Sequence, residues 1–341
     1  MRGRILDIKK LAVLTGVVAL TLAGCAAGTD SDAGETASTE TAAAETVEAV
    51  AVSDIKICVY THGDGGTFWS VAQAGAEKAG EDLGITIDYQ GSTNDSARQA
   101  ATIEGAVSAG CTGVAASAPD PGAIETAMLG LADAGIATVT MNSGSDVFKS
   151  LGAFTHVGQD EIVAGREAGY KFNDLGATNI LCPIQEAANV GLTDRCAGAR
   201  ETSTGSVTDF NLDGGLQDLT AASAKIKAAL EADPTIDAVF ALNADIAAKA
   251  VLPAVQDLGR DIFIGTVDMS EDALNAISAG DIVFAIDQQQ YAQGYLSVVL
   301  LYLNATNAHS LGGGLPMYTG PGFVDASNVE QVIGLVAAGT R

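Results

Sequence analysis

Six short apolar runs in this chain lead into polar side chains of one chemical kind. His62 and Asp64 follow IKICVY (55–60), Asn142 closes ATVTMN (137–142), and Arg195 lies in GLTDRC, beyond NILCPI (179–184). Asn243 closes AVFALN (238–243), Asp268 closes IFIGTVD (262–268), and Gln288 follows IVFAID (282–287). Close after His62 and Asp64, the stretch THGDGGTFWS (61–70) delivers two rings, Phe68 and Trp69, the latter the one Trp of the chain. Carboxylate, amide and guanidinium groups form paired hydrogen bonds with hydroxyls, which both donate and accept. Aromatic faces pack against the flat C–H face of a saturated ring. The set reads as the lining of a site for a polyhydroxylated ring. Phe68 and Trp69 act there as a stacking platform, or else cover the top of a sheet.

Enzyme chemistry finds little support in the same residues. The three histidines, His62, His156 and His309, lie outside any HExxH, and the chain has neither GxSxG nor GxxxxGK[ST]. GDGG (63–66) lacks the Lys and Ser/Thr that complete a phosphate loop. His62 is a candidate hydrogen-bonding contact, and His156, inside an apolar run, is expected to pack. Asp64 either pairs with ligand or His62, or serves the turn before Gly65-Gly66. No Cys/His spacing suits zinc. We therefore expect a binding protein, with no cofactor or metal.

Those residues need strands that end together. The runs named above, with TIDYQ (86–90), GVAASA (113–118), AFTHVG (153–158) and SVTDF (206–210), are mostly apolar throughout, as in parallel sheets buried on both faces. Helix-length segments separate them, which predicts right-handed β–α crossovers in an α/β fold. Ten strands divide into two sheets, 54–158 and 159–287. Ligands of such sheets bind beyond the carboxyl ends of the strands. On the helix from about residue 68, Phe68, Ala72, Ala76, Ala79 and Leu83 form one apolar stripe with Thr67 as expected N-cap. Trp69 lies about 100° round from that stripe, towards the cleft.

The amino terminus has a different character. Four basic residues in the first ten precede the apolar run LAVLTGVVALTLA (11–23), which reads as a signal peptide over 1–24. LAGC (22–25) resembles the lipobox of bacterial lipoproteins, making Cys25 the expected lipidated residue. Residues 25–53 then form an acidic Ala/Thr/Ser tether without aromatics, expected to be disordered. A net charge of −25 disfavours nucleic acid and anionic head groups as partners. In an exported chain the four other cysteines meet oxidising conditions. A disulfide is expected between Cys182 and Cys196. Cys58 and Cys111 are expected as small buried hydrophobes.

In order along the chain, FWSVAQAGAEKAGEDLG, GVAASAPDPGAIETAM, THVGQDEIVAGREAG, GLTDRCAGA, AVFALNAD, FIGTVDMSEDAL, IVFAIDQQQYAQGYL and YTGPGFVDASN resemble solute-binding lipoproteins of bacterial ABC importers. The likeness is to ribose-binding-protein-like sugar binders with the type I periplasmic-binding fold, over nearly all of 54–341. The resemblance implies two doubly wound parallel-sheet lobes, 54–157 with 289–313 and 158–288 with 314–341, and a ligand cleft between them. It also implies three hinge strands near 156–160, 286–290 and 311–317. Phe68 and Trp69 occupy ring-stacking positions, and Arg195, Asn243, Asp268 and Gln288 polar-contact positions. Asn142-Ser143 stands where the family often has Asp-Arg. The implied role is capture of a monosaccharide or polyol, as a monomer, for the transmembrane subunits of an ABC permease. The protein would be held by lipid to the outer face of the cytoplasmic membrane. The alternative is a receptor that presents its ligand to a membrane sensor.

Overall fold

A computed structural model describes residues 51–341; the expected signal peptide, the expected lipidated Cys25 and most of the expected tether lie outside the described residues. Five strands open the fold: β1 (Lys56–Thr61), β2 (Thr86–Gly91), β3 (Gly113–Ala116), β4 (Ala137–Asn142) and β5 (Thr155–Gly158). Helices α1 (Gly66–Leu83), α2 (Ser96–Glu104) and α3 (Pro121–Asp133) connect the first four. After α4 (Glu161–Asp174) the pattern repeats with β6 (Asn179–Ile184), α5 (Val190–Thr202), β7 (Ser206–Asn211), α6 (Leu219–Ala232) and β8 (Ala238–Ala241). A short α7 (Ala244–Ile246) runs through a π-turn at Ala247–Val251 into α8 (Leu252–Leu258). β9 (Phe263–Val267), α9 (Glu271–Ala279), β10 (Phe284–Asp287) and α10 (Gln290–Asn307) follow. The chain ends with β11 (Met317–Tyr318), β12 (Gly322–Val324) and α11 (Val329–Ala337).

The strands form two six-stranded sheets, ordered β11-β5-β4-β3-β1-β2 and β12-β10-β9-β8-β6-β7. All pairs are parallel except β10 with β12. The ten expected strands appear, and the central ones are buried on both faces, as their unbroken apolar runs require. The two added strands are two and three residues long, too short to give a periodic signal. Each lobe has cores on both sides of its sheet.

The chain passes between the sheets after β5, after β10, and between β11 and β12. The third passage differs from the expected one near 314. Met317 and Tyr318 still pair with Val157 and Gly158 of the first sheet, so the crossing falls at 319–321.

The cysteines require a second correction. Cys58 and Cys111 are not free: they form a disulfide, Cα atoms 5.8 Å apart, alongside the Cys182–Cys196 disulfide at 6.1 Å. Parallel pairing of β1 with β3 brings Cys111, two residues before β3, beside Cys58 of β1. The 53-residue separation hides this neighbourhood from the sequence.

Candidate ligand-binding cleft

Cavity-facing side chains come from strand ends, the turns after them and the helices that follow. All nine residues expected from the sequence (His62, Asp64, Phe68, Trp69, Asn142, Arg195, Asn243, Asp268 and Gln288) line one cavity of 410 Å³ between the lobes.

The first lobe supplies the rings. α1 begins at Gly66 and its N-cap is Gly65, with φ 62°, so Thr67 is not the cap. Gly65 adopts without strain a backbone that a threonine would resist. Thr67 lies inside the first turn, and its hydroxyl donates to Asp245 Oδ2 of the second lobe at 3.4 Å. Phe68 is buried and Trp69 half-buried; their rings meet edge to face at 4.9 Å. Trp69 lies over Gly63, where any Cβ would overlap the indole, and its ring also meets that of His62 edge-on at 4.8 Å. His62 Nδ1 lies 2.8 Å from the Ser117 hydroxyl and Nε2 3.9 Å from Glu186 across the cleft. Burial lowers the His62 pKa below the usual imidazole value, with Glu186 opposing the shift and Arg195 adding to it. The ring is therefore neutral at pH 7. Asp64 is exposed at the rim. His156 packs as expected: it is buried, bonded through Nδ1 to Thr140, and burial lowers its pKa to about 3.

The second lobe supplies the charge. Asp268 directly follows β9 in the left-handed region, φ 70°, as Asn142 ends β4 at φ 62°. Asn and Asp tolerate that region better than most residues. Gln288 Nε2 donates to Asp268 Oδ1 at 2.5 Å, and Asn142 Nδ2 donates to Gln288 Oε1 at 3.3 Å. Asn243 Nδ2 approaches Asp268 Oδ2 at 3.4 Å while its Oδ1 caps α7. Burial raises the Asp268 pKa to about 7; Arg195 and Gln288 oppose this, and Glu161 and Asp287 reinforce it. The carboxyl is thus poised between its two protonation states.

Arg195 lies on α5, and its fork is partly engaged. Nε donates to Glu161 Oε2 at 2.6 Å, Nη2 to Glu161 Oε1 at 3.0 Å, and Nη1 to the Leu242 carbonyl at 3.3 Å. Burial alone would lower the Arg195 pKa, but Glu161 outweighs it and raises it.

Sequence reasoning missed Glu161, Asn94 and Glu186. The only signal for Glu161 is an acid directly after an expected hinge, in GQDEIV. Asn94 Nδ2 donates to Glu186 Oε1 at 3.3 Å, and Val190 N–H to the Pro119 carbonyl at 3.0 Å, so the lobes touch across the cleft mouth.

Two α/β lobes, three chain passages and a polar-aromatic cleft between strand ends define a type I two-lobed solute-binding protein. The family model described as periplasmic binding protein domain matches residues 55–308, and the chain belongs to that family. A carbohydrate transporter from Acidothermus cellulolyticus 11B, solved in complex with myo-inositol, is 38% identical with a TM-score of 0.80; the match covers 84% of this chain and 99% of that one. The ribose import binding protein RbsB of Bacillus subtilis (strain 168) is 26% identical over 240 residues, 67% of this chain and 75% of that protein. The xylose/arabinose-binding protein XylF of Sulfolobus acidocaldarius is 23% identical over 296 residues, 82% of this chain and 73% of that protein. The matching family is one of periplasmic binding proteins, and the relatives named here are sugar-binding transport proteins and not enzymes.

Proposed function

We propose that this protein captures a monosaccharide or cyclic polyol, with myo-inositol the first ligand to test, and delivers it to the transmembrane subunits of an ABC permease. The observation that carries the reading is the convergence of nine residues on one cavity, with both aromatic rings from the first lobe and the guanidinium and the buried carboxylate from the second. Trp69 and Phe68 pack on the C–H face of the ring. Asp268 accepts from neighbouring hydroxyls, Arg195 donates through the N–H groups that Glu161 leaves free, and Asn142, Asn243 and Gln288 complete the set. His62 and Asp64 contact the ligand from the first-lobe rim. The solved relative bound to myo-inositol shares 38% of aligned residues, which supports testing a cyclic polyol first. The protein acts as a monomer, held outside the cytoplasmic membrane by lipid on Cys25.

A thermal-shift panel of myo-inositol, ribose, xylose, arabinose, glucose and galactose tests the ligand class. A ligand at 100 times its Kd stabilises by about 2.7 kcal/mol; no shift with any of them refutes the reading. Replacing Cys25 with Ser should release the protein from membranes or block its maturation, and unchanged retention refutes the anchor.

A further inference from the structure

We propose that Glu161 makes this cleft select uncharged ligands, by holding the Arg195 guanidinium from behind; this rests on the sugar or polyol reading above. Arg195 is the one Lys or Arg in the cavity lining, while Asp64, Glu186, Asp245 and Asp268 all line it. An Arg left free in such a cleft is a ready receptor for carboxylate or phosphate, which match its planar fork. Glu161 does not line the cavity, yet its carboxylate occupies Nε and Nη2 of that fork. Both side chains are buried, at 6% and 7% exposure, so water does little to weaken the pair. Of five N–H groups, three are engaged, leaving one on each terminal nitrogen. Those two suit ligand hydroxyls. An incoming carboxylate would instead meet a cation already balanced, among four other acids.

The fold places the pair with care. Glu161 begins α4, directly after its N-cap Asp160. α4 and α5 approach closely because a Cβ at Gly165 would overlap the Arg195 carbonyl, and one at Gly198 the Ile162 carbonyl. The first hinge passage joins in: Gln159 Nε2 donates to Glu161 Oε2 at 2.8 Å. Glu161 is therefore a positioning residue that acts on ligand choice through Arg195.

Calorimetry on the whole protein, wild type and Glu161→Gln, with D-glucose against D-glucuronate and myo-inositol against myo-inositol 1-phosphate, tests this. Wild type should prefer the neutral member of a bound pair at least a hundredfold. Glu161→Gln should cut that preference at least tenfold, with the gained acid binding weakened by salt. A merely structural role would weaken both members alike and leave the ratio unchanged, which overturns the proposal. Wild type that binds an acid within tenfold of its neutral partner overturns it too, even if the variant fails to fold. Wild type that binds none of the four overturns the proposal; if it also binds no other sugar of the thermal-shift panel, the site reading fails as well.

Discussion

The two lobes share one plan and divide the chemistry. Each has a left-handed Asn or Asp at or directly after the end of β4 or β9, and each follows β5 or β10 with a Gln that bonds a carboxylate near the cleft. Each packs a helix pair through glycines, Gly75 and Gly294 between α1 and α10, Gly165 and Gly198 between α4 and α5. Each has one disulfide. Yet the first lobe presents rings and a neutral His62, while the second presents Arg195, Asp268 and the buried Glu161. A common scaffold thus sets where the cleft lies, and different side chains at its two walls decide what each wall offers.

The largest expected effects separate the disulfides. Breaking Cys58–Cys111 by Ser substitution releases a 53-residue loop and should cost about 4 kcal/mol on the chain-entropy account; breaking Cys182–Cys196, a 14-residue loop, should cost about 3. Denaturant unfolding of the two variants measures this, and equal losses would show that loop entropy does not set the difference. Peptide mapping without reduction should first recover both linked pairs.

Next comes the charged wall. Asp268→Ala should weaken sugar binding at least tenfold, since an unpaired buried group costs about 1–3 kcal/mol and 1.4 kcal/mol is one decade. Folding should survive. Asp272→Ala, exposed and paired with Lys249, should change affinity by less than twofold. Wild-type affinity in the Asp268 variant would place the ligand elsewhere.

The same residue predicts a pH dependence. The folded Asp268 pKa of about 7 exceeds the unfolded value near 4. Its proton therefore stabilises the empty protein below about pH 4, and this contribution is lost as pH rises through 7. Ligand hydroxyls favour the carboxylate form, so affinity should run the other way and rise about tenfold from pH 6 to pH 8. Asp268→Asn should flatten the profile; a slope that persists in this variant assigns it to another group.

The smallest effect belongs to the ring wall. Trp69→Leu should weaken binding by about 1 kcal/mol, roughly fivefold, because an aromatic contact adds about 0.5–1.5 kcal/mol beyond area. As the sole Trp, Trp69 should also report ligand through its fluorescence in the wild type. A titration without fluorescence change at saturating ligand would remove Trp69 from the stacking wall.

How much of this was legible depends on distance along the chain. Apolar runs and the residues that close them are local, and with parallel strands they place every strand end on the ligand side. Hence the fold class and nine cavity-lining residues, from His62 to Gln288, follow from the sequence together with its family resemblance. The cap of α1 was misplaced because Gly65, with no side chain to signal a cap, needs φ 62°, which no periodicity reveals. The site's balance of charge was hidden too. Glu161 and Arg195 are 34 residues apart and meet only because glycines let two helices close in.

By itself, the sequence determined which side chains stand at the strand ends, because burial on both faces is written into uninterrupted apolar runs. Only the tertiary structure decided their partners: Cys58 with Cys111, Gln288 with Asp268, and Glu161 with Arg195. The reason is physical. A strand is selected by its own residues, whereas an ion pair or disulfide depends on the separation of two backbones, which sheet register and helix approach set at long range.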